Sequence, residues 1–401
     1  MAQDNNMISR RLALFFAILA SGGNLLVSRE IWVVFSLICV FKSIKGAAPA
    51  SREYQFIYFW ITLAVIALCI TQGISEIFSL LSRAVTFLTA ALLLAIYRIK
   101  PEGTFAKDFS FIVKPMTIQA ILTFIIGNFA PQIFSPVEIA GITYYHIFYI
   151  LFFHYVQNVE VPIIRPDGFF YEPGVFQIYL SIFVFIHLFM VRNLRWAAVG
   201  FLALISTAST IGLAVATVLI AYFPFAQRSS SRGRSLITAV VILAFALPVV
   251  TMLAKQNIDE KLYGAHRGSY VARNYDLLTG INIISENPIL GIGFLADRYV
   301  SEKSYSGSLD TNLSGNDAII RQNSNGLAQI FFSIGVPLGM AIFYGILRQK
   351  IFRKRLLFVL IIVSSLFGQA LSFSVFFLMI AFSGLLSEGS RKGIGQNYLL
   401  A

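Results

Sequence analysis

Long apolar runs without charge recur from one end of this chain to the other. The segment 196–226 alone runs 31 residues, from Trp196 to Ala226, without an Asp, Glu, Lys or Arg. Uncharged runs of about 18 residues or more mark helices that cross a bilayer. Lipid leaves such a chain few choices, because every backbone N–H and C=O at membrane depth needs an internal partner. Of the 401 residues, 57% are hydrophobic and only 12% are charged, more apolar surface than a soluble domain of this size needs. The 38 Phe and 17 Tyr suit a chain with many rings at headgroup level. Cys39 and Cys69 both fall inside apolar runs, so neither a disulfide framework nor a zinc spacing is present. The first apolar run follows Arg10 and Arg11 and lacks an obvious small-residue cleavage site, so no cleavable signal peptide is expected.

The pattern predicts an all-α polytopic membrane protein of about twelve transmembrane helices. The first five spans fall at about 11–28, 31–45, 54–72, 77–97 and 112–130, the fifth after a basic loop holding Arg98, Lys100, Lys107 and Lys114. A sixth lies at about 174–191. Two more divide 196–226 as a thin hairpin at Ser206–Thr210, and the rest fall at about 235–253, 326–347, 356–371 and 373–388. Charge tests the arrangement. The loops on the N-terminal side hold 21 of the 31 basic and five of the 19 acidic residues, a balance of +16 against −4 for the rest. That asymmetry puts both termini in the cytoplasm. It also explains the net charge of +12 without nucleic acid, for which no motif is present. Counting 141–157 (GITYYHIFYILFFHYVQ) as a span would reverse every later loop, so it is expected to lie unspanned in the outer interface.

Three regions follow. Residues 1–254 hold the first nine spans, with an outer-face segment at 128–173; 255–325 form one large outer loop; 326–401 hold the last three spans and a tail. Loops longer than about 15 residues are usually functional or disordered. This one carries an amphipathic run, a Pro/Gly turn and several arginines, and reads as a small folded cap.

Candidate chemistry gathers at the outer side. In IIRPDGFFYEPG, Arg165, Asp167 and Glu172 sit close to the entry of the sixth span. Pro173 suits its first turn, and a helix N-terminus favours an anion such as Glu172. The plainer reading is a helix cap among solvated charges. In HRGSYVARNYD, Arg267 and Arg273 flank Tyr270 and, if helical, lie on neighbouring faces. Arginine matches phosphate oxygens with a planar fork, although a solvated amphipathic helix fits the spacing equally well. His266 is the loop's one histidine, and ENPILGIGF reads as a backbone-shaping turn. Ser324 and Asn325 fit a helix N-cap, and Ser206, Thr207, Ser209 and Thr210 sit at the hairpin tip. Arg83, about two turns inside its span, is a functional candidate by default, with snorkelling as the plain alternative.

In this order, RPDGFFYEPG, STASTIG, HRGSYVARNYDLLTGINIISENPILGIGF and SNGLAQIFFSIGVPLG resemble O-antigen polymerases (Wzy) and O-antigen ligases over roughly 160–345. The resemblance implies a GT-C-type inner-membrane glycosyltransferase with a periplasmic active site and no metal or other cofactor. Its partners would be an undecaprenyl-diphosphate-linked oligosaccharide, membrane lipids and a chain-length regulator, with no nucleic acid. Arg165, Arg267 and Arg273 match the family's diphosphate-holding arginines, and Glu172 its acidic residue. With them, Tyr270, Asn325 and Arg83 form the expected substrate-binding set. Glu172, Arg165, Asp167 and His266 form the expected catalytic set. Ligases usually place His-Asn where this chain has Ser324 and Asn325, which leans toward a polymerase. The alternatives are a ligase using a lipid A-core acceptor and a transporter of lipid-linked sugars. A transporter would more often carry inverted repeats and charges near the midplane.

Overall fold

The computed structural model describes residues 2–22, 26–44, 52–72, 76–101, 103–139, 142–154, 164–226, 267–294, 298–301 and 323–386. Five helices come first: α1 (Ala2–Gly22), α2 (Arg29–Ser43), α3 (Arg52–Gln72), α4 (Ile77–Arg98) and α5 (Thr104–Phe129). Strands β1 (Ser135–Ile139), β2 (Ile142–Ile147) and β3 (Leu151–His154) follow. Then come α6 (Pro173–Phe189), α7 (Leu194–Ser206), α8 (Thr210–Tyr222) and α9 (Arg267–Glu286). The last helices are α10 (Gly326–Leu347), α11 (Arg355–Gly368) and α12 (Val375–Leu385).

Eleven of the twelve expected spans coincide with helices here; the one expected at 235–253 lies outside the described residues. Four described helices, α3, α4, α5 and α10, are long and apolar enough to cross a membrane by length and composition. The helices α6, α7, α8, α11 and α12 are apolar but shorter. Helix α1 ends at Gly22 where the span is expected to reach about 28, and two starts differ as well. Helix α1 starts at Ala2 instead of residue 11, and α5 starts at Thr104, so Lys107 and Lys114 lie on helix and not in a loop. Pro115 hides that continuity in the sequence, since proline usually ends a helix.

Helices α6 and α12 form the centre. Every residue of α12 is buried, as is every residue of α6 but Gly174. A helix apolar all round belongs inside a fold. Around them, α2 and α3 bury one side and leave Val34, Phe35, Ile38, Phe41, Phe56, Phe59, Ile66 and Ile70 exposed. So large an apolar surface calls for lipid, not water. Small residues allow a close crossing: a Cβ on Gly384 of α12 would run into the Gly345 carbonyl oxygen of α10.

Helix α10 is broken at Gly335, whose φ of 78° and ψ of 166° are not helical. The ENPILGIGF turn fills the break. Val336 N–H donates to the Pro288 carbonyl (2.7 Å), Ile292 N–H to Phe332 (2.8 Å) and Gly293 N–H to Ser333 (3.0 Å). Groups that a broken helix would leave orphaned in lipid are thereby paired. Gly291 takes a φ of 68°, and a Cβ there would lie 2.4 Å from the Phe332 oxygen, so both the turn and the contact need glycine.

The all-α expectation needs one correction. Ser135–Ile139, Ile142–Ile147 and Leu151–His154 form a three-stranded antiparallel meander in the order β1-β2-β3. The segment 141–157 is therefore a strand pair where described, joined through Phe148–Ile150. β-branched and aromatic residues favour this pleated form. Tyr144 and Phe152 pack with Val137 and Ile139, while Phe153 packs with Phe134 and Ile164. At the opposite end of the bundle, Asp108 of α5 accepts from Arg10 (2.6 Å) and Arg11 (2.8 Å) of α1, and Tyr97 of α4 donates to it (3.2 Å). Those contacts tie three helices together at the face carrying the basic loops.

Candidate active site at the helix ends opposite the basic face

The segment 164–172 is held from both sides. The Asn128 side chain, at the end of α5, clamps Ile164 through its carbonyl (3.1 Å) and its N–H (2.9 Å). Asp167 N–H donates to the Phe152 carbonyl of β3 (3.0 Å), and Gly168, with a φ of 67°, turns the chain toward α6. Arg165 sits half-buried, and its Nε donates to the Thr207 carbonyl in the α7–α8 turn (2.8 Å). There the expected hairpin tip contributes: Ser209 accepts from Gly212 N–H and caps α8.

Glu172 is the N-cap residue of α6, with Pro173 in the first turn, but its side chain does not cap the helix. It accepts instead from the amide of Gln369, just beyond α11. Tyr171 donates to the same amide's oxygen at 3.3 Å. The hydroxyl of Ser372, in the α11–α12 turn, reaches the Gly326 carbonyl at the start of α10. The ends of α6, α10, α11 and α12 thus meet around Glu172.

Two guanidinium groups border this junction. Arg29, at the start of α2, donates to the Phe373 carbonyl at 2.8 Å. Arg83 of α4 lies over the Phe294 ring, 4.5 Å from its centre, and the Phe294 and Phe373 rings meet edge to face at 4.6 Å. Neither guanidinium has a carboxylate within 4.0 Å among the described residues. Arg298 continues the rim, donating to the Thr71 carbonyl at 2.8 Å. Arg83 stands out in the sequence as a charge inside an apolar span, whereas Arg29, beside a turn, carries no such signal.

Asn325 caps α10: its side-chain oxygen accepts from Ala328 N–H at 3.0 Å, and the residue is 2% exposed. The helix end thus takes the side-chain oxygen of Asn325 and leaves its amide N–H2 group outside the cap. Ser324 donates from its hydroxyl (2.7 Å) and its N–H (2.9 Å) to the buried Asp276 of α9, which also accepts from Tyr299 (2.9 Å). Helix α9 begins at Arg267, so 267, 270 and 273 lie on helix as expected. The side chains of Arg267, Tyr270 and Arg273, and all of His266, lie outside the described residues.

Asp167 is wholly buried and stands 2.8 Å from His154 Nδ1. Burial pushes the carboxyl up to about 6, against the pull of His154 and Arg165. Burial also lowers the imidazolium of His154, but Asp167, aided by Glu172, outweighs it and the net shift is upward. His154 was not singled out in the sequence, where it closes an aromatic run. Among the described residues, no group of three or more His, Cys, Asp or Glu side chains is placed to hold a metal ion.

This is a membrane protein of many apolar helices, with arginines, an amide-bound glutamate and a His–Asp pair collected at one set of helix ends. Residues 176–343 match the family described as O-antigen ligase. That match supports the O-antigen ligase/polymerase family, the one the ordered motifs resemble, whose members are glycosyltransferase-like enzymes. No curated protein and no solved structure matches the chain.

Proposed function

We propose that this chain polymerises lipid-linked repeat units on the periplasmic side of the bacterial inner membrane. A growing glycan on undecaprenyl diphosphate passes to a sugar hydroxyl of a new undecaprenyl-diphosphate-linked unit. The acceptor oxygen bonds to the anomeric carbon, the bond from that carbon to the diphosphate breaks, and the lipid diphosphate leaves with the electron pair.

The observation that carries this reading is the Arg29–Arg83 pair beside Phe294 and Phe373. Two half-buried guanidiniums without a carboxylate partner among the described residues suit a ligand that brings negative charge of its own. Arg29, Arg83 and Arg165 would stabilise the departing diphosphate, where charge grows in the transition state. Arg267 and Arg273, with Tyr270, would approach from α9. Glu172, oriented by Gln369, would accept hydrogen bonds from sugar hydroxyls. His266 keeps its expected place as a catalytic candidate on the loop.

Two features favour this over the other classes. Ser324, where ligases resemble one another in carrying histidine, is bound to Asp276, which leans toward polymerase. A transporter would use the break in a helix to hold substrate, whereas the break in α10 is filled by the chain's own 288–293 backbone. In cells lacking the chain, single repeat units should still reach the lipid A-core acceptor while long chains vanish. Loss of all sugar from the core, with lipid-linked polymer accumulating, would make the chain a ligase.

A further inference from the structure

The His154–Asp167 pair is built more tightly than a chance surface contact. Asp167 has no solvent exposure, and its backbone is tied to β3 through Phe152. One carboxylate oxygen faces His154 Nδ1 at 2.8 Å, and the other has no hydrogen-bond partner among the described residues. A carboxylate on Nδ1 fixes the tautomer of a neutral imidazole and leaves Nε2 as the acceptor. His154 is only partly covered, its side chain 17% exposed, so that second nitrogen has a route outward.

The surroundings point the same way. The Tyr144 ring stands 5.2 Å from the His154 ring, and its hydroxyl donates to the Tyr171 carbonyl, next to Glu172 (3.1 Å). Arg165 and Glu172 both act electrostatically on His154. The pair therefore adjoins the groups assigned above to diphosphate and sugar. The other described histidines lack this arrangement. His146 stacks on Tyr149, and His187 is buried inside α6 with neither nitrogen partnered among the described residues.

Resting on the transfer reading above, we propose that His154 is the general base of the reaction and Asp167 its positioning residue. Nε2 takes the proton of the acceptor sugar hydroxyl as that oxygen bonds to the anomeric carbon. The electron pair of the broken bond leaves on the lipid diphosphate, and the proton passes from His154 to water.

The test uses the full chain reconstituted in vesicles with undecaprenyl-diphosphate-linked repeat units extracted from cells lacking it. His154→Asn keeps an N–H for Asp167 near the position of Nδ1 but has no basic nitrogen. It should melt and bind the lipid-linked unit like the wild type while joining units at least about 100-fold more slowly, the usual worth of a positioned base. The wild-type rate should rise with pH along a limb above histidine's ordinary value of about 6.5, because burial and Arg165 disfavour the charged ring less than Asp167 and Glu172 together favour it. Asp167→Asn should move that limb to lower pH, with the Tyr144 hydroxyl still neutral there. His154→Asn within twofold of the wild type, with the same pH limb, would make the pair a structural staple and overturn the proposal. A wild-type chain that joins no units at all overturns the transfer reading and this inference together.

Discussion

Val336 donates its backbone N–H to the carbonyl of Pro288 at 2.7 Å, across the break in α10. A loop read from sequence as a turn therefore completes a broken helix, and the Asn325 cap at that helix's start is held in one piece with it. The turn's glycines set how closely the two strands of backbone approach. We expect Gly291→Ala to lower the melting temperature and the folded yield together. Its left-handed backbone alone costs about 1–2 kcal/mol with a side chain, and the clash with Phe332 adds to that. Thermal unfolding in detergent measures it; an unchanged midpoint would mean that the loop moves freely.

Asp108 is the sole carboxylate accepting from both Arg10 and Arg11 among the described residues. Asp108→Asn should destabilise by about 3–5 kcal/mol, the cost of leaving a buried cation without its partner. Adding Arg10→Gln should recover part of the loss. Melting temperatures of the single and double variants decide this, and additive effects would argue against a shared network.

Ser324 gives two hydrogen bonds to Asp276. Ser324→Ala removes one of them and should cost about 1.5–3 kcal/mol, as for other hydrogen bonds to charged groups. Glycan chain length in cells should hardly change, because that hydroxyl is engaged in structure. A large loss of polymer from a protein of normal stability would place Ser324 in the chemistry.

Arg83 lies over the Phe294 ring with no carboxylate within 4.0 Å among the described residues. Arg83→Lys keeps the charge but loses the planar fork. It should slow unit joining by about 30- to 1,000-fold, on the order of 2–4 kcal/mol, with the protein still inserted. Gel ladders of the product report it, and normal chain lengths would remove Arg83 from the diphosphate site.

Most helices were legible because lipid-facing and buried residues are apolar over whole turns, and the hairpin division at Ser206–Thr210 followed from length alone. The meander was not. Its residues are apolar on both faces, as with Tyr144 and Phe153, so the alternation that reveals a strand is missing. Glu172 and Arg165 were visible as charges beside a Pro-capped helix. Arg29 was not, since what defines it is a carbonyl 344 positions away. The pairing of His154 with Asp167 likewise depends on β3 lying beside the 164–172 segment, which the sequence spacing does not express.

The central claim is tested most directly by giving the reconstituted chain nothing but undecaprenyl-diphosphate-linked single repeat units. The account expects products of two or more units, with one undecaprenyl diphosphate released for each bond made, and expects Arg83→Gln to abolish both. Single units left unjoined, but transferred when lipid A-core is added, would contradict it and identify a ligase.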